Sequence, residues 1–371
     1  MDKRCVEMTI RELEPAARRT NGSRRPVVSV VIPCYNYGRF LSDSVGSVLS
    51  QVGVEVKILI IDDASTDDSA QVARQLVARS ASVELIIHPV NRGHIATYNE
   101  GLLEWATGDY VLLLSADDML APGYLERAVD LMERRPSVGL VYGRPREFTS
   151  NDDLPTASHR VRRPSVWSGQ DWFARRWREA VNVVSTPTAL VRRSVQTEVG
   201  GYSSDLPHAA DLEMWLRIAL VSDIAFVRGV TAAYYRVHRE SMSAAVYEDR
   251  FADVVERSHV FSALMENHGG QIRRWGLDEK TPGRALASEP LWALSRAYEK
   301  GDLAQFPSDW VIHFAANCYP DLYSLKSWRA YKRRRFVGER LCHSTQAFAI
   351  TGVVRRAHKT WWWWRWRNYG G

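Results

Sequence analysis

Two aspartate pairs, Asp62-Asp63 and Asp117-Asp118, each follow a short run of branched apolar residues, ILII and VLLLSA. A single such pair reads as a polar turn before a helix. Two pairs at equivalent places in an alternating pattern read as a site. Carboxylates brought together from neighbouring strand ends repel one another unless a cation or ordered water accompanies them. Pro33, Tyr35 and Asn36 follow the first apolar run, Ser65 and Asp67 flank the second, and Ser115 precedes the fourth-run pair. The chemistry open to such a set is cation binding and hydrogen bonding to a polar ligand.

The elements that must position these residues follow from hydrophobic periodicity. Continuous apolar runs over 27–33, 56–62, 83–88, 109–115 and 139–142 predict buried strands. Helical spacing is predicted over 40–51, 65–79, 93–106 and 122–134, with Ser65 to Asp68 resembling a capping box at the head of the second helix. Alternating strands and helices imply a Rossmann-like α/β domain, a mostly parallel sheet with helices on both faces. Such sheets bind ligands beyond the carboxyl ends of their strands.

Composition narrows the classes. The chain has 371 residues, 45% hydrophobic and 25% charged, which fits one or two globular domains and not a disordered chain. Its four cysteines, Cys5, Cys34, Cys318 and Cys342, are far apart, so neither a disulfide scaffold nor a structural zinc site is expected, and a reducing, cytoplasmic setting is. No apolar run is long enough to span a bilayer, and residues 1–25 lack a secretory h-region and read as a flexible arm. The absence of G-x-x-x-x-G-K-[ST], and of G-x-G-x-x-G after the first strand, removes the support for a P-loop enzyme or a dinucleotide oxidoreductase. A receiver domain leaves Asp117-Asp118 and everything beyond residue 140 unexplained.

Charge is unevenly spread. Residues 325–371 hold 12 Lys+Arg and one acidic residue, +11, against +6 for the chain, so the remainder carries 6 − 11 = −5. That basic tail also holds six of the 14 tryptophans, Trp328, Trp361, Trp362, Trp363, Trp364 and Trp366. Three readings stand: contact with an anionic membrane surface, a terminal helix packing its indoles on the body, or single-stranded nucleic acid. The region 245–371 as a whole reads as a helical appendage, with helices over 245–268, 290–300 and 321–342 and a Gly- and charge-rich linker over 269–283. LWALSRAYEKGDLAQF resembles one helical hairpin of the tetratricopeptide kind, without a 34-residue period.

Seven blocks in order carry a family resemblance: SVVIPCYNYGRFLSDSVGSVLSQ, LIIDDASTDDS, NRGHIATYNEG, GDYVLLLSADDMLAPGYL, TPTALVRRSV, VGGYSSDLPHAADLEMWLRIA and YYRVHRESMS. Together they resemble a family 2 glycosyltransferase of the GT-A fold, over roughly residues 27–243 within an expected domain at 26–244. The resemblance implies that Pro33 and Tyr35 border the nucleotide, with Tyr35 on the uracil face and Asp63 accepting from the base. It places the SADD segment at the Asp-x-Asp motif, with Asp118 on a divalent metal and Asp117 nearer the ribose. Asn91 and His94 would run beside the nucleotide, and His238 would ligate the metal or donate to a phosphate. Asp211 takes the place of the catalytic base, with Glu213 as second choice and helix capping as the alternative. The chain departs from the family pattern at Ser115 and Ala210, where acidic residues are usual.

The expectation is therefore an inverting hexosyl- or N-acetylhexosaminyltransferase. It would use Mn²⁺ or Mg²⁺ and move a sugar from a nucleoside-diphosphate donor, UDP-linked by preference. The acceptor would be a glycan or lipid-linked hydroxyl in cell-surface polysaccharide synthesis, with peripheral membrane contact and no nucleic acid. The alternative is a degenerate GT-A domain that binds a nucleotide sugar without turnover.

Overall fold

The computed structural model describes residues 24–238, 241, 251–344 and 348–370. Most of the expected arm, Cys5, and residues 245–250 of the expected helix over 245–268 lie outside the described residues. The chain divides into two compact units. One comprises Met1–Phe173, Asn182–Ala245 and Arg367–Gly371; the other comprises Ala174–Val181 and Val246–Trp366.

The first unit is built on one sheet. Strands β1 (Val27–Cys34), β2 (Glu55–Asp62), β3 (Val83–Ile87) and β4 (Tyr110–Leu113) are parallel, in the order β3-β2-β1-β4. Their near-continuous Val, Ile and Leu content follows from burial on both faces; β1 is buried at seven of its eight positions. Helices α1 (Gly38–Leu49), α2 (Ser69–Arg79), α3 (His94–Asn99) and α4 (Tyr124–Arg134) connect or cover them. On α4, Leu125, Ala128, Val129 and Met132 form the buried stripe that amphipathic spacing demands.

Beyond β4 the sheet turns mixed. β8 (Leu190–Arg192) runs antiparallel to both β4 and β6 (Val138–Phe148), and β6 lies parallel to the long β9 (Asp223–Arg236). The two-residue strand β5 (Met119–Leu120) pairs antiparallel with β9, Met119 opposite Tyr234. β7 (Ser165–Trp167) also pairs β9. The β5 pairing sets the geometry of the site, because it draws Asp117-Asp118 against the end of β9. Helices α5 (Gly169–Glu179), α6 (Arg193–Val199) and α7 (Ala210–Val221) complete this part of the chain.

Three local expectations need correction. α2 opens at Ser69, not Ser65, and its N-cap Asp68 makes no side-chain capping bond. Ser65 Oγ instead accepts the Asn36 N–H at 2.9 Å, so the presumed cap joins two loops. The helix expected over 93–106 is α-helical only through Asn99 and continues as a π-helix over Glu100–Trp105. There Gly101 lies against Val31, whose Cγ1 would sit 2.4 Å from an added Cβ. The linker expected over 269–283 is mostly helical: α8 (Ala252–Arg274) and α9 (Lys280–Lys300) leave only 275–279 between them.

The second unit is helical. In it α9 and α10 (Ser308–Cys318) form a hairpin, with Gly301 in the left-handed region capping α9. α11 (Lys326–Val337) and α12 (Glu339–Ser344) follow, and α13 (Ala349–Tyr369) belongs to this unit as far as Trp366. Buried arginines tie the unit together. Arg257 reaches Asp253 and Glu289 at 2.8 and 2.9 Å, and Arg334 reaches Glu299 at 2.6 Å. Among the described residues no helix is long and apolar enough to cross a membrane.

Candidate active site

The ends of β1 and β2 are joined by their loops. Asn36 and Ala64 both adopt positive φ, 60° and 62°, uncommon for side-chain-bearing residues and concentrated at functional loops. The Thr66 N–H donates to Asn36 Oδ1 at 2.8 Å, and the Asp63 N–H donates to the Cys34 carbonyl at 2.9 Å. Tyr35, with its side chain 48% exposed, stands free at the rim of the crevice.

Asp63 is buried and held from three sides. Its Oδ1 faces His88 Nδ1 at 2.6 Å and accepts the Arg92 N–H at 2.8 Å, while Oδ2 accepts the Gly93 N–H at 3.0 Å. Burial opposes its ionisation, but the hydrogen bonds from His88 and the two amides, with the His88 charge, outweigh it. The carboxyl is therefore held below its usual range. His88 is itself clasped, its Nε2 at 2.9 Å from Glu100 Oε2, and Glu100 also takes Arg92 Nη1 at 2.6 Å. The π-helix begins at Glu100, a local irregularity of the kind that often marks functional sites. The loop from Asn91 to His94 is a clamp on Asp63 made of backbone amides. Asn91 accepts from Gly93, and His94 Nε2 lies 3.0 Å from the Pro207 carbonyl.

Asp117 and Asp118 are buried, and β9 supports them. Asp118 Oδ1 accepts the Arg236 N–H at 2.9 Å, while Arg236 Nε donates to the Asp117 carbonyl at 2.9 Å. The Arg236 guanidinium lies 4.4 Å from the Phe40 ring centre and 4.4 Å from that of Phe148, and donates to Asn151 Oδ1 at 3.0 Å. Burial, and then the adjacent Asp117 charge, push the Asp118 carboxyl well above its ordinary value. His238 Nε2 sits 3.0 Å from Asp117 Oδ2, and its Nδ1 is buried without a partner among the described residues.

Pro33, Tyr35, Asp63, Asn91, His94, Asp117 and Asp118 all line one cavity of about 730 Å³. His238 lies behind it, against Asp117. Asp211 is not among the residues that line this cavity; it stands in the first turn of α7, two residues past the N-cap Ala209. Its Oδ2 accepts from Asn182 Nδ2 at 2.7 Å and its Oδ1 from the Leu212 N–H at 2.6 Å. Glu213 is committed elsewhere, both its oxygens meeting Arg217 at 2.6 and 2.8 Å.

Sequence reasoning missed Tyr98, which lines the same cavity. Its ring meets His94 at 5.4 Å and Tyr202 at 5.7 Å, and Tyr202 meets Trp215 on α7. Burial, then the charges of Asp117 and Asp211, raise its hydroxyl far above the ordinary value, so it remains a neutral donor. It also missed His88 and Glu100. Their pairing with Asp63 crosses three elements and leaves no local signal beyond a histidine at a strand end.

Among the described residues no group of three or more His, Cys, Asp or Glu side chains forms a metal cage. The residues at Asp117-Asp118 nevertheless fit a cation of the magnesium type. Two buried carboxylates side by side on a ligand-sized cavity supply hard oxygens and need a counter-charge. Such ions keep waters and take substrate phosphates to complete their shell.

The family model described as Glycosyl transferase family 2 matches residues 29–199. An uncharacterized protein of Mycobacterium tuberculosis is 31% identical over 219 residues, 55% of this chain and 65% of that protein. An uncharacterized glycosyltransferase of Nostoc sp. is 37% identical over 115 residues, 31% of this chain and 35% of the relative. The chain thus spans less than two thirds of the length of these relatives. The fold of residues in both units is similar to that of S. aureus TarS 1-349 in complex with UDP-GlcNAc, at a TM-score of 0.55 and 15% identity. That likeness covers 84% of this chain and 90% of TarS 1-349. It supports the GT-A fold.

Proposed function

We propose that the protein, whose residues 29–199 match the family model described as Glycosyl transferase family 2, is an inverting glycosyltransferase taking its sugar from a nucleoside-diphosphate donor, UDP-linked by preference. The observation that carries this reading is the single cavity into which three loops bring Tyr35, Asp63 and the Asp117-Asp118 pair. An exposed aromatic ring and an ionised carboxylate suit the face and the N3–H of uracil. The relative bound to UDP-GlcNAc has the same fold.

Asp118, with Asp117, would hold Mn²⁺ or Mg²⁺ against the diphosphate, and His238 orients Asp117 through its 3.0 Å contact. Bound there, the cation supplies positive charge to the departing diphosphate. Asp211 is the base. It takes the proton of the acceptor hydroxyl as that oxygen bonds to the anomeric carbon and the bond to the diphosphate oxygen breaks on the opposite face, its electron pair leaving with the diphosphate. The Asn182 amide fixes the Asp211 carboxylate for that role. Tyr98, a neutral hydroxyl within the same cavity, orders the space between donor and base.

The acceptor is a glycan or lipid-linked hydroxyl of a cell-surface polysaccharide. Peripheral membrane contact is supported by α13, where Trp361, Trp363 and Trp364 are exposed and the Arg365 guanidinium lies 5.6 Å from the Trp361 ring. The testing experiment measures nucleotide release from UDP-, dTDP- and GDP-sugars with Mn²⁺, for the wild type and Asp211→Asn. The expected result is release from a UDP-sugar that falls at least 100-fold in the variant while UDP affinity stays within threefold. Nucleotide binding by the wild type with no turnover of any donor would favour the non-catalytic reading. Unchanged turnover in the variant would remove Asp211 as base.

A further inference from the structure

Arg144 and Arg146 stand two residues apart on β6, and the pleat puts them on the same face of the strand. Both are half-buried. Among the described residues neither guanidinium has a hydrogen-bonded or ion-paired partner, and the Nε of Arg146 is sealed from solvent with none. Such groups are costly to bury unpaired, and the fully buried arginines among the described residues, Arg176, Arg236, Arg257 and Arg334, all meet carboxylates or carbonyls.

The end of the chain brings a third cation to this place within the same unit. Tyr142, two residues before Arg144 on that face, donates to the Gly370 carbonyl. Arg228 on β9 donates its Nε to the Asn368 carbonyl at 2.7 Å and places its guanidinium 4.3 Å from the Tyr369 ring centre. Gly370 lies so close to Phe226 that an added Cβ would stand 2.4 Å from Phe226 Cγ. These contacts fix 368–370 along β6 and β9, directly after Arg367 in the chain. Burial, then the charges of Arg146 and Arg367, hold the Arg144 guanidinium below its ordinary value. Two half-buried guanidinium groups, with the charge of the exposed Arg367 added to theirs, would be relieved by an anion.

We propose that Arg144, Arg146 and Arg367 form an oxyanion-binding site for a phosphate or phosphodiester group, distinct from the cavity around Asp118. Forked guanidinium donors match phosphate oxygens in charge and geometry. None of the three lines the donor cavity. β6 pairs Phe148 with Arg236 and Arg146 with Tyr234. At the rise of a strand Arg146 and Arg144 therefore lie about 7 and 13 Å along β6 from the level that supports Asp118. On the proposed transfer reaction, that phosphate is one carried by the acceptor.

The test titrates diethyl phosphate, a soluble phosphodiester, into the full-length protein at constant ionic strength, with and without saturating UDP and Mn²⁺. Arginine Nε–H resonances report the binding. A second arm uses vesicles of phosphatidylglycerol. The expected result is saturable binding in at least one arm that weakens tenfold or more in Arg144→Gln/Arg146→Gln. It should persist within about threefold in Arg144→Lys/Arg146→Lys, with UDP affinity unchanged in both. Binding in the soluble arm identifies a phosphodiester in solution; binding confined to vesicles identifies a lipid headgroup phosphate. Equal affinity of wild type and the double Gln variant in both arms, with all proteins folded by circular dichroism, overturns the site. Loss of UDP binding by the wild type would instead count against the donor reading alone, since the titrations without UDP still report on the arginines.

Discussion

Replacing Arg236 by methionine removes the group that holds the Asp117-Asp118 segment in place. The side chain would lose its bond to the Asp117 carbonyl at 2.9 Å and to Asn151 at 3.0 Å, and its place between the Phe40 and Phe148 rings, each 4.4 Å away. A hydrogen bond from a charged donor contributes about 1.5–3 kcal/mol and a cation–aromatic contact roughly 0.5–2 kcal/mol. Methionine recovers part of the packing between the rings but leaves the buried Asp117 carbonyl, and the Asp43 carboxylate 3.6 Å from the guanidinium, without that partner. The expected loss is about 3–5 kcal/mol, within the roughly 3–6 kcal/mol that two such hydrogen bonds contribute together. For a unit of this size that corresponds to a fall in Tm of roughly 6–20 °C. The assay is thermal unfolding, read on the transition that UDP and Mn²⁺ shift upward. A fall equivalent to less than about 1 kcal/mol would refute the reasoning, because it would mean that the Arg236 backbone amide alone supports Asp118.

Asp118→Asn should raise the Tm of the metal-free protein, since it removes one of two adjacent buried charges while the amide oxygen can still accept the Arg236 N–H; a lower Tm would contradict this. Asp63→Asn should destabilise the protein at pH 7 and weaken UDP binding by roughly 10- to 100-fold, because a charged acceptor worth about 1.5–3 kcal/mol becomes neutral and an NH2 replaces the Oδ2 that accepts the Gly93 N–H. Because the folded Asp63 carboxyl titrates below the ordinary 3.8, its contribution is full above that value. The stability gap to the wild type should therefore stay constant from pH 7 to about pH 5 and close only as the pH falls below 4, as urea midpoints would report. Gly101→Ala should cost about 1–3 kcal/mol by forcing a methyl against Val31, measured by the same unfolding assay. Trp361→Ser/Trp363→Ser/Trp364→Ser should abolish co-sedimentation with anionic vesicles if α13 is the membrane contact, and unchanged sedimentation would remove that role.

The parallel half of the sheet was legible because β1, β2 and β4 are buried on both faces and therefore read as unbroken apolar runs. Asp63, Asp117 and Asp118 were legible because polar residues at the carboxyl ends of such strands have few structural reasons to be there. What the pattern concealed was non-local. β8 enters between β4 and β6 with three residues, too few to show a period, and β5 has two. The role of Arg236 depends on β5 pairing with β9, more than 110 residues apart in the chain, and so does the support of Asp118. Ser65 looked like a helix cap because capping and loop bridging use the same hydroxyl chemistry; the structure spends it on Asn36. His88 and Glu100 have meaning only once β3, the Asn91–Gly93 turn and the π-helix are brought to Asp63.

The most direct measurement is calorimetric titration of UDP into the protein, with and without Mn²⁺, beside Asp118→Ala. The account predicts tight binding that requires both the metal and Asp118. Binding of equal strength without either, or no binding under any of these conditions, would contradict it.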